Sequence, residues 1–444
     1  MAKKKQIELT IEEKLQNALV PKEEQPYKIP SNWCWTYLTK GMAECWDKYR
    51  KPINATERNK RLGNIPYYGA TGQVGWIDDY LTDEHLVLIG EDGAPFLDLL
   101  KNKAYIIKGK SWVNNHAHIL KSFYDEVGNK YLCNYLNVFN YKGYINGTTR
   151  LKLTQKNLDI IPIPLPPINE QQRIVNIIES LFAKLDRAKE LIENTLAQFE
   201  QNKMAILHKA FTGELTAKWR KENNIDLSSW KEKTIDELCT SLKYGTSKKS
   251  NPEGSVVVLR MGNLQNGEID WSNLMYTDDK DDIEKYLLKK GDVLFNRTNS
   301  PELVGKTSIY RGEYPAIYAG YLIKLDYGKD IIGEYLNYMM NSTKAKHYCY
   351  TVKTDGVSQS NINAKKIGAF EIPVPTIEEQ QEIVNILDKL LAKYNKIKNL
   401  EQQLEKIELL KKAILAKAFR GELGTNNPDE ESAENLLKEI LAEK

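Results

Sequence analysis

The chain has 444 residues, which is too long for one ordinary domain core and indicates two or three domains. Its hydrophobic content of 41% and charged content of 28% are typical of a soluble globular protein, and its 25 Tyr and 8 Trp argue against disorder. A formal net charge of +3 neither requires nor excludes nucleic acid, because a local basic face can bind phosphates on a nearly neutral chain.

The N-terminus, MAKKKQIELT, is basic but has no apolar run behind it. We therefore expect neither a signal peptide nor a membrane span, and a cytoplasmic protein. The five cysteines are odd in number, far apart and never in a Cys-x-x-Cys pair. They predict reduced, mostly buried thiols and no disulfide framework or zinc site.

Residues 1–28 are predicted to be a short N-terminal helical segment, because Thr10 and Glu13 form a capping box and Pro21 ends the helix. From residue 29 to 163 short apolar runs are broken by Gly, Asn and Pro, which predicts a first strand-rich domain. Asn146-Gly147 predicts a hairpin turn in this domain.

Residues 164–222 are predicted to be a first helical spacer region. It opens with a proline-rich extended lead, and Ile174, Ile178, Leu181 and Leu185 then follow a heptad spacing. If residues 168–210 are helical throughout, the helix is a rod of roughly 64 Å.

A second strand-rich domain is predicted over residues 223–372, with Asn266-Gly267 as a hairpin turn. A second helical spacer region follows at 373–423. Residues 424–444 form an acidic C-terminal tail with a short amphipathic helix at 432–441.

The strongest pattern is an internal repeat. The segment at 163–184 returns at 372–393 with an offset of 209, and the segment at 205–215 returns at 413–423 with an offset of 208. One residue is therefore missing from the second copy, between Lys393 and Leu404. A loss of this kind turns a helical face by about 100°.

Each spacer helix has a narrow apolar seam that needs a partner, and the obvious partner is the other helix. The second domain begins where the first helix ends and finishes where the second helix begins, so antiparallel packing is expected. We predict an α+β fold with two strand-rich domains joined by two long antiparallel helices, a pseudo-twofold internal repeat and the domains at opposite ends.

Catalytic signatures are absent. Gly305-Lys306-Thr307 resembles the end of a P-loop, but Ser300 stands where the first glycine is required, so a turn or phosphate contact is expected. There is no Asn-Pro-Pro-aromatic methyltransferase motif and no glycine-rich cofactor loop. We predict no catalytic residue, no bound metal and no cofactor in this chain.

Two polar clusters suit DNA. Asn114, Asn115 and His116 present donors and acceptors together, and Arg297 follows an apolar run that ends at Asn296. Arginine can bridge guanine O6 and N7, and asparagine can bridge adenine N6 and N7. Solvated loops, internally bonded histidines and scattered surface charges are the alternatives. The candidate DNA contacts are Arg50, Lys51, Arg58, Tyr68, Glu91, Asp92, Asn114, Asn115, His116, Thr149, Arg150, Lys243, Tyr244, Arg260, Asn263, Asn296, Arg297, Thr298, Lys306, Ser358, Gln359 and Ser360.

The chain resembles the specificity subunit of Type I restriction-modification enzymes over nearly its whole length. The resemblance rests on PLPPI with EQQ at 164–172, repeated as PVPTI with EQQ at 373–381, and on the AF-x-GEL that ends each helix. It also rests on the openings IPSNWCW and SSW, on IPYYGATG, GEDGA and WVNNHAH, and on LRMGNLQNGEID, GDVLFNRT and ELVGKT.

The resemblance implies two target-recognition domains, each reading one half of an asymmetric bipartite DNA target, and helical regions that act as spacer and docking surface. It implies double-stranded DNA, two modification methyltransferase subunits and restriction/translocase subunits as partners. S-adenosylmethionine, ATP and Mg would belong to those partners, and this chain would be non-catalytic. The predicted partner-binding residues are Glu170, Gln171, Gln172, Glu379, Gln380 and Gln381.

Two competing functions stay open at this point. One is a stand-alone metal-dependent DNA nuclease that uses Glu91, Asp92 and His116. The other is a coiled-coil scaffold without a nucleic-acid role.

Overall fold

The computed structural model describes residues 9–395 and 398–443. These residues divide into two compact units. Unit 1 comprises the chain up to Ile192 together with the chain from Glu401, and unit 2 comprises Glu193–Leu400.

Unit 1 begins with a short helix and continues into a strand-rich domain. Its strands are β1 Cys34–Tyr37, β2 Ala43–Cys45, β3 Ile65–Gly69, β4 Gly72–Ile77, β5 Thr82–Gly90, β6 Ala104–Val113, β7 Ala117–Ser122, β8 Ile145–Asn146, β9 Lys152–Leu153 and β10 Pro162–Leu165. Its helices in this part of the chain are α1 Ile11–Ala18, α2 Ala55–Arg58, α3 Asp125–Leu136, α4 Gln155–Asp159 and the first part of α5 Ile168–Phe211.

The main sheet of unit 1 has six strands in the order β2-β7-β5-β6-β3-β4. All neighbours are antiparallel except β3 and β6, which are parallel. The central strand β5 is almost continuously apolar from Leu86 to Ile89 and is fully buried there. One face packs on α3 and on the start of α5, where Ile174, Val175 and Ile178 join the core.

Unit 2 holds the second strand-rich domain. Its strands are β11 Lys231–Thr234, β12 Cys239–Tyr244, β13 Val256–Leu259, β14 Leu264–Gln265, β15 Glu268–Ile269, β16 Tyr276–Thr277, β17 Val293–Asn296, β18 Thr298–Asn299, β19 Thr307–Ile309, β20 Ala316–Tyr318, β21 Leu322–Tyr327, β22 Thr354–Asp355, β23 Ser360–Asn361 and β24 Glu371–Val374. Its helices are α6 Ala217–Glu222, α7 Ile235–Leu238, α8 Lys280–Tyr286, α9 Gly333–Met340, α10 Thr343–Val352, α11 Ala364–Gly368 and α12 Ile377–Asn395.

The sheets of unit 2 differ from the sheet of unit 1. A four-stranded antiparallel sheet has the order β12-β21-β17-β19, and a three-stranded sheet has the order β16-β13-β20. The predicted Asn266-Gly267 turn is confirmed: it joins β14 to β15, with Gln265 paired to Glu268 and φ values of 55° and 86° at the two turn residues. Asn146-Gly147 likewise opens the β8–β9 hairpin, but that connection is longer.

The spacer helices are partly as predicted. Helix α5 runs unbroken for 44 residues. The second spacer is described as α12 and as α13 Lys398–Ala418, and the predicted one-residue slip overlaps residues outside the described ranges. Within unit 1, Asp186 pairs with Lys411 and Lys189 pairs with Glu408, so α5 and α13 run antiparallel there, as predicted.

The same strand pairing joins the two ends of the strand-rich domain in both units. The strand that opens each domain pairs antiparallel with the proline-rich strand before the spacer helix, β1 with β10 and β11 with β24. The predicted extended path of the proline-rich leads is therefore a buried strand. In each pair a tyrosine hydroxyl donates to a proline carbonyl, Tyr131 to Pro164 and Tyr335 to Pro373.

A buried glutamate follows each pair, in the first turn of the spacer helix. In unit 1, Glu170 accepts from the Trp33 indole at 2.8 Å, from Thr425 Oγ1 at 3.1 Å and from Asn426 Nδ2 at 2.9 Å. In unit 2, Glu379 accepts from the Trp230 indole at 2.9 Å, from Thr216 Oγ1 at 2.6 Å and from Arg220 NH1 at 2.5 Å. We call these two clusters the carboxylate nodes.

The C-terminal tail belongs to the fold of unit 1. Helix α14 Ala433–Glu443, predicted near these residues, packs against α1, whose capping box is present as predicted. Arg173 of α5 forms a two-pronged ion pair with Glu430, at 2.7 and 2.8 Å. Residues 430–443 thereby complete the unit that contains α1 and the start of α5.

The nodes correct one prediction. Glu170, Gln171, Glu379 and Gln380 were expected to bind partner subunits, but all four side chains are fully buried. Each glutamine donates to the carbonyl of a proline in its own lead, Gln171 to Pro166 and Gln380 to Pro375. Buried side chains that form their hydrogen bonds within the fold offer no surface to a partner subunit. Only Gln172 and Gln381 remain exposed.

The two nodes predict different costs of mutation. Glu379→Ala leaves the buried Arg220 guanidinium without its carboxylate and should destabilise by about 3–5 kcal/mol. Glu170→Ala removes an acceptor from three neutral donors and should cost about 1–3 kcal/mol. Denaturant unfolding measures both, with the exposed helix residue Glu190→Ala as a control near zero. Equal losses at the two nodes would contradict this account.

Candidate nucleic-acid interface

In unit 1, Asp92 joins two loops that carry predicted DNA contacts. One Asp92 carboxylate oxygen lies 2.7 Å from His116 Nδ1 and accepts from Arg150 NH2 at 2.8 Å. His116 precedes β7, and Arg150 lies in the β8–β9 hairpin. The exposed side chains at this surface are those of Asn115, Thr149 and Arg150.

Beneath this surface lies a network of opposite charges. Arg50 donates to Glu91 and lies 2.8 Å from Asp47, while Lys152 lies 2.9 Å from Glu91. Burial alone would raise the pKa of Glu91, but hydrogen bonds from Lys152 and Arg50 outweigh it and lower that pKa. Arg50 is therefore held by carboxylates and supports the loops instead of reaching outward.

His118 is part of the same network and is almost fully buried. Its Nδ1 lies 2.6 Å from Asp47 and its Nε2 lies 2.8 Å from the Leu153 carbonyl. The imidazole thereby joins Asp47 to the strand β9. Burial would raise the pKa of Asp47, but the hydrogen bond and charge of His118, the Ile119 N–H and the charge of Arg50 together lower that pKa.

These contacts do not favour the metal-dependent alternative. The carboxylates of Glu91 and Asp92 are directed at arginine and lysine side chains. Within the described ranges, the one group of ligand atoms close enough for a metal is Cys45, Asp47 and His118. Burial, reinforced by Asp47, raises the pKa of the Cys45 thiol to about 12, and Asp47 and His118 already bond to each other, to Arg50 and to the backbone.

Other predicted contacts of unit 1 lie along the β3–β4 hairpin and the segment before it. Lys51 and Arg58 stack on aromatic rings, Lys51 on Trp112 at 5.8 Å and Arg58 on Tyr67 at 4.9 Å. Tyr68 is half-buried, and its carbonyl accepts from the Asn114 N–H. The structure does not support Asn114 as a DNA contact, because its side chain is buried and accepts a hydrogen bond from the His116 N–H, which holds the loop.

In unit 2, Arg260 and Arg297 line an open cleft of about 940 Å³. Arg297 lies 4.9 Å from the ring centre of Tyr244 and donates to Asn361 at 3.2 Å. Thr298 is next to it and accepts from Asn361. The structure therefore brings Tyr244, Arg260, Arg297 and Thr298 to one region.

Three predicted contacts of unit 2 are wrong because the fold buries them. Asn296 and Ser360 are fully buried and Asn263 is nearly so. Asn296 accepts from the Thr298 N–H, Ser360 donates to Asp355, and Asn263 bonds to the carbonyls of Asp270 and Ser272. Each of these hydrogen bonds stabilises a loop or a strand end.

The remaining predicted residues are placed apart from the cleft or at its edge. Lys243 pairs with Asp326 at 3.1 Å, and Lys306 donates to Gln265 at 2.8 Å in a separate pocket. Ser358 and Gln359 are exposed between β22 and β23. Asn361 and Gly320, which position Arg297, were missed because no local pattern marks them. Trp33 and Trp230 were also missed as node donors, although each stands in a recognised domain opening.

The chain belongs to the Type I restriction modification DNA specificity domain family, whose model matches residues 31–198 and 228–409. It is 31% identical over 302 residues to the EcoKI type I restriction enzyme specificity subunit of Escherichia coli K12, and the alignment spans 65% of each chain. It is 27% identical over 383 residues to S.HindORF215P of Haemophilus influenzae, named as a type I restriction enzyme specificity subunit, covering 82% of this chain and 91% of that one.

The fold also matches a chain from a solved structure that concerns complex assembly and conformational transition of the type I R-M system. The TM-score is 0.63 at 18% identity, over 90% of this chain and 100% of that chain. In the described part of the chain, no helix is long and apolar enough to cross a membrane.

The charge network of unit 1 predicts sensitivity to acid. The pKa values of Asp47 and Glu91 are lowered in the folded state, so the unfolded state binds more protons. Their stabilisation is complete above the ordinary carboxyl pKa of about 4 and is lost as the pH falls through the lowered values. Denaturant unfolding at neutral and acidic pH measures this.

Asp47→Asn should be less stable than wild type at neutral pH and should lose less stability in acid, because one lowered carboxyl pKa has been removed. Parallel stability curves for the variant and the wild type would show that the network does not set the acid response.

Proposed function

We propose that this chain is the DNA-recognition subunit of a Type I restriction-modification complex and that each strand-rich domain reads one half of an asymmetric, interrupted target. The observation that carries the proposal is the family match over both domains, at 31–198 and 228–409, combined with unlike surfaces in the two. Because the domains differ in sheet order and in exposed side chains, their half-sites should differ too.

The chain itself would do no chemistry. Its titratable clusters are ion-paired networks, and its cysteine thiols have pKa values raised by burial. S-adenosylmethionine would bind to the methyltransferase partners, and ATP and Mg to the restriction/translocase partners. The complex would act on double-stranded DNA in the cytoplasm. The scaffold alternative does not account for the family match, and the nuclease alternative accounts for neither the family match nor the paired carboxylates.

A repeated helix face supports docking of two identical partners. Ile168, Gln172 and Asn176 lie four residues apart on the exposed face of α5, and α12 presents Ile377, Gln381 and Asn385 at the same spacing. Ile168 is 40% exposed and Ile377 is 39% exposed. In each copy the glutamine donates to the asparagine, at 2.8 and 3.2 Å. We call these the twin faces, and each would bind one methyltransferase subunit.

Replacing residues 223–370 by the same region of a relative should change one half-site only, because these residues belong to unit 2 and contain its reading surface. The measurement is a genome-wide map of methylated adenines in cells that express the chain with its methyltransferase partner. The matched replacement of residues 29–163 should change the other half-site. A change in both halves after either replacement would contradict modular recognition.

The twin faces predict a stepwise stoichiometry. Ile168→Asp puts a charge in an apolar contact and should reduce the complex from two methyltransferase subunits to one. Ile377→Asp should do the same, and the double variant should bind neither. Light scattering of the purified complexes measures this, with Leu62→Asp, at an 85% exposed site elsewhere in unit 1, as the control. Two bound subunits in the double variant would place docking on another surface.

A further inference from the structure

The cleft of unit 2 has four cations and no carboxylate among the lining residues that the structure describes. Its cationic lining residues are Lys248, Lys249, Arg260 and Arg297, and among the described residues that line it there is no aspartate or glutamate. The carboxylates that pair with Lys248, Asp279 at 2.7 Å and Asp282 at 3.5 Å, are not among the lining residues. The cleft is therefore a place for an electron-rich ligand.

Both arginines retain unused donors. The Nε atoms of Arg260 and Arg297 are buried, and neither has a hydrogen-bond partner among the residues that the structure describes. Arg260 donates from NH2 to the Asn273 carbonyl at 2.8 Å. Each guanidinium has five N–H groups, and the terminal nitrogens keep N–H groups beyond the one that Asn273 accepts from Arg260 and the two that Gly320 and Asn361 accept from Arg297.

Contacts within the protein fix the orientation of the Arg297 guanidinium plane before any ligand binds. Its guanidinium lies over the Tyr244 ring, whose hydroxyl accepts from the Ala364 N–H at 2.9 Å and so fixes that ring. Asn361 and the Gly320 carbonyl hold the two terminal nitrogens. Arg311 in the same unit is different, because it is bonded to the carboxylates of Glu268 and Glu334. An arginine that is oriented but lacks a carboxylate is suited to planar recognition.

We propose that this arginine cleft reads the O6 and N7 edge of a guanine, so that the half-site of the second domain contains a G·C pair. The inference rests on the proposed function and adds the base and the residues that select it. Guanine O6 and N7 are two acceptors in one plane and match an oriented guanidinium. A phosphate offers similar acceptors, but the exposed Lys249 at the same cleft can serve it without a fixed plane.

The test is methylation mapping with Arg297→Ala and Arg297→Lys, and with the same pair of changes at Arg260. Cells without their own adenine methylation would express the full chain with its methyltransferase partner. The wild-type motif should contain a guanine in the half-site that changes when residues 223–370 are replaced. In the variants, preference for that guanine should fall roughly tenfold or more while the other positions are kept. Lysine should not restore it, because lysine lacks the planar fork.

Arg311→Ala is the matched control and should leave the motif unchanged. Three results would overturn the inference: a second half-site without a G·C pair, an unchanged motif in all four variants, or uniform loss at every position that lysine restores, which would identify a phosphate contact. If a variant at Arg297 does not fold, the Arg260 pair decides. A wild-type chain that yields no bipartite motif would instead remove the proposed function itself.

Discussion

A buried carboxylate in the first turn of each spacer helix is the constraint on which both units depend. An ionised carboxylate without partners would be very costly in the interior, so Glu170 and Glu379 force several segments to converge. Each holds the domain-opening tryptophan and the segment that follows the GEL sequence of a spacer helix. Their position near a helix N-terminus adds favourable dipole energy. The domain, its opening strand and its spacer helix are thereby fixed as one body.

This constraint explains which features the two units share and which features differ between them. The carboxylate nodes and the strand pairs recur because they build the frame of each unit, and the twin faces recur at the starts of the two spacer helices. The candidate DNA-binding surfaces of the two units differ in how their cations are paired. In unit 1 the cations Arg50, Lys152 and Arg150 are bonded to carboxylates, which orients the loops and lowers their net charge. In unit 2 the arginines face a cleft without acids. One frame therefore supports two surfaces with different arrangements of charge.

Local chemistry was predictable from the sequence, and long-range burial was not. The capping box at Thr10, the turn at Asn266-Gly267 and the length of α5 depend on neighbours a few residues away. The node partners are 137 and 255 residues from Glu170, so no local pattern identifies them. Asn296 shows the same limit at the candidate site: its hydrogen-bonding capacity is visible in the sequence, but only the fold shows that it is used internally. An asparagine side chain can bond to adenine, but whether a given asparagine is free to do so depends on its surroundings in the fold.

Unit 1 is built from two separate stretches of the chain, and this has a consequence for synthesis. Unit 2 is contiguous in sequence, so its node can form before the C-terminal residues are made. The Glu170 node requires Thr425 and Asn426, near the end of the chain. Domains of a nascent chain usually fold from the N-terminus onward. Here the order is inverted: the strand-rich domain of unit 1 is made before unit 2 but closes after it, and a chain that stops before Thr425 lacks the closure of unit 1 and not that of unit 2.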